Sequence, residues 1–116
     1  DELAAPDPRA SGTLQAHYAP SAPVRLMDAR ALQTALDLLG ADAAHIAIWS
    51  RVILKTRSGG ILRRRMPDDA TATAQQLFAV LRDFDAWGAR LIWIETPPDT
   101  PDWEGVRDRL QRAAAA

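Results

Sequence analysis

The chain has 116 residues, with 14 Lys and Arg against 15 Asp and Glu and a net charge of −1, which is enough for one small domain and a tail and lacks the basic excess of a dedicated nucleic-acid surface. It has no cysteine, which excludes a disulfide scaffold, a cysteine-based zinc site and a cysteine nucleophile, and its two histidines without a His/Asp/Glu cluster argue against a metal site. No apolar run approaches the roughly 20 residues of a membrane span and no signal peptide opens the chain, so a cytoplasmic location is expected.

Residues 1–23 hold Pro6, Pro8, Pro20 and Pro23 together with Gly12, and show neither a helical nor a strand period. Proline fixes φ and removes a backbone donor, so this stretch reads as an extended, stiff linker. Residues 24–27 read as a short strand. Asp28 is a helix N-cap, Leu32, Leu36 and Leu39 form an apolar stripe, and Gly40 is the stop. Residues 45–49 form a strand with few polar positions, as expected when both faces are covered. Residues 50–60 are the least regular: 51–57 suit a strand extension or a short helix, and Ser58, Gly59 and Gly60 a turn. A strand over 61–66 ends at Pro67.

The clearest helix follows. Asp68 or Asp69 caps it, Ala74, Leu77, Phe78, Leu81, Phe84 and Trp87 or Gly88 recur at helical spacing, and Gly88 closes it. Residues 91–95 are a strand and 97–101 a proline-stiffened loop. Thr100 or Asp102 opens a last helix with Val106, Leu110 and Ala113 on one face. Alternating strands and helices favour parallel strands joined by crossovers. The expected fold is a small Rossmann-like three-layer α/β domain over residues 24–116, with a mostly parallel sheet of three to five strands, preceded by the extended Pro-rich linker.

A nucleotide site in such a fold normally shows a glycine-rich loop after the first strand. Here Met27-Asp28-Ala29-Arg30 follows that strand and no glycine comes until Gly40. Asp28 and Glu95 fall at strand ends, on the edge where α/β ligands bind; capping and loop roles are the stronger expectation for both. Arg57, Arg63, Arg64 and Arg65 suggest a phosphate or RNA contact, but alternate strand residues point to opposite faces, so three consecutive arginines cannot form one patch and a solvated edge strand is favoured. His17 and Tyr18 sit in a linker with no core to fill, so they are expected to dock on something: an adenine, a neighbouring domain, or this same domain as a hinge clamp.

Two motifs carry a family resemblance. One is Ala10-Ser-Gly-Thr-Leu-Gln-Ala-His-Tyr-Ala-Pro20-Ser-Ala-Pro23. The other is spread over the last third: Ala74-Gln-Gln-Leu-Phe78, Leu81-Arg82, Phe84-Asp85, Gly88, the strand at 91–95, Pro98, Asp108-Arg109-Leu110 and Arg112-Ala113-Ala114. In these the chain resembles the C-terminal domain and interdomain linker of two-domain threonylcarbamoyl-AMP synthases, the YrdC-type L-threonylcarbamoyladenylate synthases that start the threonylcarbamoyladenosine modification of tRNA. The resemblance covers nearly the whole chain apart from its middle.

The resemblance implies an enzyme that makes threonylcarbamoyl-AMP and pyrophosphate from L-threonine, bicarbonate and ATP with magnesium. The chemistry would belong to an N-terminal YrdC-type domain, the partner of this one and absent from this sequence. This chain would be an accessory domain, inactive alone, without a cofactor of its own and meeting tRNA only indirectly through a downstream transferase. By the same resemblance residues 1–23 would lie across the catalytic pocket as a lid. Ser11, Gly12, His17, Tyr18 and Pro20 would form it, Gly12 allowing the turn and Pro20 and Pro23 fixing the exit. Ser11 stands where many relatives have proline, which loosens that turn. The alternative is an independent protein- or tRNA-docking module, suggested by the arginines and by exposed Trp87 and Trp103. A free-standing small enzyme is the weakest expectation, because no nucleophile–base pair can be assembled from the sequence.

Overall fold

In the computed structural model, residues 19–116 are described. They form a four-stranded sheet from β1 (Val24–Met27), β2 (Ala44–Ser50), β3 (Gly60–Arg65) and β4 (Leu91–Glu95), in the spatial order β1-β4-β2-β3. Every pairing is parallel. Helix α1 (Ala29–Leu39) follows β1, α2 (Ala70–Trp87) joins β3 to β4, and α3 (Glu104–Ala115) follows β4. The α/β class, the parallel sheet and the three layers expected from the alternating pattern are all present.

Strand side chains alternate between faces, and that alternation sorts the core into two halves. Ile46, Ile48 and Trp93 pack with Leu32 and Leu36 of α1 on one face. Ala47, Trp49, Ile92 and Ile94 pack on the other face, with Leu77, Val80, Leu81 and Phe84 of α2 and Val106 and Leu110 of α3. Burying one such large apolar side chain is worth about 1.5–3 kcal/mol, so the central strands β2 and β4, buried on both sides, hold the layers together.

The helix ends follow the local chemistry. Asp28 Oδ1 accepts the Ala31 N–H at 2.7 Å, and Asp69 Oδ2 accepts the Ala72 N–H at 2.8 Å, each satisfying a donor that the first helical turn leaves open. Asp68, the other candidate cap of α2, instead pairs with Arg65 at 3.0 Å. Gly88 closes α2 with φ 92, in the left-handed region that glycine adopts without steric cost.

Four details depart from expectation. Leu39 is 41% exposed, because α1 tightens into a 3₁₀ turn at Gly40–Asp42 that rotates the stripe off the sheet. Trp87 lies at the end of its stripe and is 39% exposed, whereas Trp103 is 3% exposed and packs in the larger core half, so of these two tryptophans only Trp87 is at the surface. Thr100 precedes a 3₁₀ turn at Pro101–Trp103, and α3 begins at Glu104 with no side-chain cap, so neither Thr100 nor Asp102 caps that helix. Residues 51–59 are neither strand nor helix.

That segment joins two neighbouring parallel strands without a crossover helix, and side chains hold it in place. Gln33 of α1 donates to the Lys55 carbonyl at 2.8 Å and accepts the Lys55 N–H at 2.9 Å. Ser58 Oγ donates to the Ala43 carbonyl and accepts the Gly60 N–H. Leu54 packs against the α1 side of the core. Gly60 then enters β3 so close to β2 that a Cβ there would lie 2.9 Å from Ala44 Cα.

Candidate functional site

Ligands of parallel α/β sheets bind outside the carboxyl ends of the strands. Here that edge is filled by the domain's own residues. Glu95, the last residue of β4, is buried. Its Oε1 accepts the backbone N–H groups of Arg51 at 2.8 Å and Val52 at 3.1 Å, and its Oε2 takes the Arg51 guanidinium at 2.5 Å. The same guanidinium donates to the Thr96 carbonyl at 3.2 Å and lies 5.7 Å from the centre of the Trp103 ring. Next to it, Arg63 donates through Nη2 to the Val52 carbonyl at 2.8 Å and through Nε to the buried Ser50 hydroxyl at 3.2 Å. These contacts tie the start of the 51–59 segment to β4 and β3.

Of the two acids expected at this edge, Asp28 caps α1 and Glu95 clasps Arg51. Arg51 was not singled out by sequence. Its partner lies two strands later, and the readable signal is an acid ending an otherwise apolar strand.

The arginines separate as strand alternation requires. Arg63 serves the edge just described, while Arg64 reaches Asp83 of α2 at 3.2 Å and sits 6.0 Å from the Phe84 ring centre. Arg65 pairs with Asp68, and Arg57 lies against Gly40 of α1's final turn. They do not share a patch.

The other region of interest is the amino end of the sheet, where residues 19–23 lead into β1. Ser11, Gly12, His17 and Tyr18 lie outside the described residues; Pro20 is half-buried. The Ser21 N–H donates to both carboxylate oxygens of Asp85, at 3.0 and 3.3 Å, in the last turn of α2. Ala22 is buried, and the Pro23 carbonyl accepts the Ile92 N–H at 3.0 Å, so the chain runs from this anchor straight into the pairing of β1 with β4. Trp87, one turn end further along, faces the ring of His45 with centroids 6.2 Å apart. His45 has φ 58, an uncommon conformation for a side-chain-bearing residue. It marks a register shift where β2 begins, and its carbonyl accepts the Arg90 N–H at 2.7 Å.

Among the described residues no group of three or more His, Cys, Asp or Glu could hold a metal ion, and no helix is long and apolar enough to cross a membrane.

Residues 1–115 match a family described as threonylcarbamoyl-AMP synthase, C-terminal domain (Sua5_C). No curated protein matches the chain in sequence. Among solved structures, Sua5 of P. abyssi, crystallised with L-threonine, is similar at a TM-score of 0.70 and 21% identity, over 85% of this chain and 30% of that one. At that identity the likeness is one of fold, and this chain spans less than a third of that relative's length. The family match takes in the proline-rich segment as well as the sheet and helices, and on it the chain belongs to the threonylcarbamoyl-AMP synthase C-terminal domain family.

Proposed function

We propose that this chain is the accessory C-terminal domain of an L-threonylcarbamoyladenylate synthase, inactive alone, and that its residues 1–23 join it to an upstream catalytic domain and close over that domain's pocket. The observation that carries this is the family match through residues 1–115, which includes the linker motif with Ser11, Gly12, His17, Tyr18 and Pro20. The clasped carboxyl edge supports an accessory role: Glu95 and Arg63 are held by the domain's own backbone, where a nucleotide-binding sheet would leave such groups to its ligand.

In this reading L-threonine, bicarbonate and ATP meet in the upstream domain, in the cytoplasm. In the same reading the magnesium needed with ATP is held in that upstream domain as well. The linker's task is to exclude water from the mixed-anhydride product, which hydrolyses readily. The Ser21–Asp85 anchor gives the lid a fixed point on this domain. An independent protein- or tRNA-docking module competes with this reading. Its main support weakens because Arg63, Arg64 and Arg65 are engaged within the domain; exposed Trp87 remains in its favour.

The test is pyrophosphate release from ATP, L-threonine and bicarbonate, comparing the full-length enzyme with a version ending before Asp1 and with a His17→Ala/Tyr18→Ala double variant. A fall of about tenfold or more in both is expected. Equal rates in all three would refute the lid and move the search to a partner surface around Trp87.

A further inference from the structure

We propose that the cleft between the last turn of α1 and the 55–57 segment binds a small zwitterion of the α-amino acid class. The cleft has a volume of about 370 Å³ and is lined by Leu36, Asp37, Gly40, Lys55, Thr56 and Arg57. That volume is at the small end of ligand pockets, which span roughly 300–1,000 Å³.

Charges of both signs line this one cleft, yet they do not pair with each other. Asp37 is held on its own side, its Oδ1 accepting from Gln33 Nε2 at 2.9 Å. The same amide donates to the Lys55 carbonyl, and Gln33 Oε1 accepts the Lys55 N–H, so the carboxylate and the segment opposite are fixed by one residue. Arg57 reaches from the 55–57 segment across to the end of α1, its guanidinium against Gly40. A Cβ at Gly40 would lie 2.6 Å from Arg57 Nη2, the far end of a flexible side chain, and the positive φ of 58 there is itself a conformation that favours glycine. Among the described residues, the ion pairs engage Arg51, Arg64, Arg65, Arg107 and Arg112, and neither Lys55, Arg57 nor Asp37.

A single-charge ligand would suit only half of this cleft. A plain anion would satisfy Lys55 and Arg57 but face the Asp37 carboxylate. An amine alone would face two cations. A molecule with an ammonium and a carboxylate a short distance apart meets both kinds of charge: the ammonium toward Asp37, the carboxylate toward Lys55 and Arg57, where charge-assisted hydrogen bonds strengthen the contact. Leu36, buried at the floor of the cleft, favours a short apolar side chain over a long polar one.

The proposal is independent of the catalytic reading above and is tested on this chain by itself. ¹⁵N-labelled protein is titrated with L-alanine, and in parallel with sodium acetate and with ethylammonium chloride at equal ionic strength. The expected result is saturable shifts of the amide signals of Asp37, Gly40, Thr56 and Arg57 with L-alanine, and affinity at least tenfold weaker for each single-charge probe. Arg57→Gln and Asp37→Asn should each weaken L-alanine binding at least tenfold while the other amide signals keep their positions. No saturable shift with L-alanine overturns the proposal. Acetate binding as tightly as L-alanine also overturns it, since the site would then be one for simple anions. The comparison of probes on the unmodified chain decides the matter even if a variant fails to fold.

Discussion

Glu95 grips Arg51 twice, accepting its backbone N–H at 2.8 Å and its guanidinium at 2.5 Å, so one carboxylate fixes both ends of the same residue. The contact joins the end of β4 to the first residue after β2, two adjacent strands, and decides where the irregular 51–59 segment begins.

Glu95→Ala therefore leaves two backbone N–H groups and a mostly buried guanidinium without their acceptor. A loss of about 3 kcal/mol is expected from breaking a buried, hydrogen-bonded ion pair on one side. Glu95→Gln keeps an acceptor for the N–H groups and should lose less, about 1–2 kcal/mol. Urea unfolding of the three proteins checks this, and a loss below about 0.5 kcal/mol for the alanine variant would show that the clasp is incidental.

The adjacent glycines 59 and 60 should respond in opposite ways to the same substitution. A Cβ at Gly60 meets Ala44 Cα at 2.9 Å and the Ala43 carbonyl oxygen at 3.2 Å, backbone atoms at and just before the start of β2, whereas nothing lies within 4 Å of one at Gly59. Gly60→Ala is expected to destabilise by about 1–3 kcal/mol through forced separation of β2 and β3. Gly59→Ala should be neutral or stabilising by a few tenths of a kcal/mol, because it restricts the unfolded chain. Thermal melts of both variants measure the contrast; similar melting temperatures would contradict the close approach of the two strands.

Asp85→Ala removes the acceptor for the Ser21 N–H at an exposed site, so its cost to folding should be modest, about 1 kcal/mol. Its larger effect is expected in the full-length enzyme, where the linker loses its fixed point. Pyrophosphate release should fall several-fold while the isolated chain stays folded. An unchanged rate would mean that the lid needs no anchor on α2.

The strands and the starts of α1 and α2 were legible because their causes are local. Residues 91–95 are apolar on both faces since β4 is central, and Asp28 and Asp69 cap helices through N–H groups three residues on. The 51–59 segment was not legible, because what shapes it comes from Gln33 and Glu95, residues far away in sequence whose hydrogen bonds leave no periodic trace. Trp103 was misjudged for a related reason: a tryptophan in a proline-rich turn looks exposed until α3 folds the turn back over the sheet. Leu39 followed the helical period correctly, but the helix tightens just past it and carries the side chain away from the core. For the proposed lid segment, only the family motif spoke. Ser11, Gly12, His17 and Tyr18 have no periodic pattern and would not have been singled out together by spacing alone.

The spatial order β1-β4-β2-β3 also has a consequence for synthesis. Among the described strands the last to be made sits between the first two, and β1 pairs with it alone. On a ribosome, β2 and β3 can pair as soon as they emerge, but β1 and the anchored linker beside it must wait, unpaired, until residues 91–95 are released and slide into the gap. If residues 1–23 gate a catalytic pocket, a chain stopped before β4 keeps the Asp85 anchor but lacks the strand that β1 pairs with, so the segment would be tethered beside an unpaired β1.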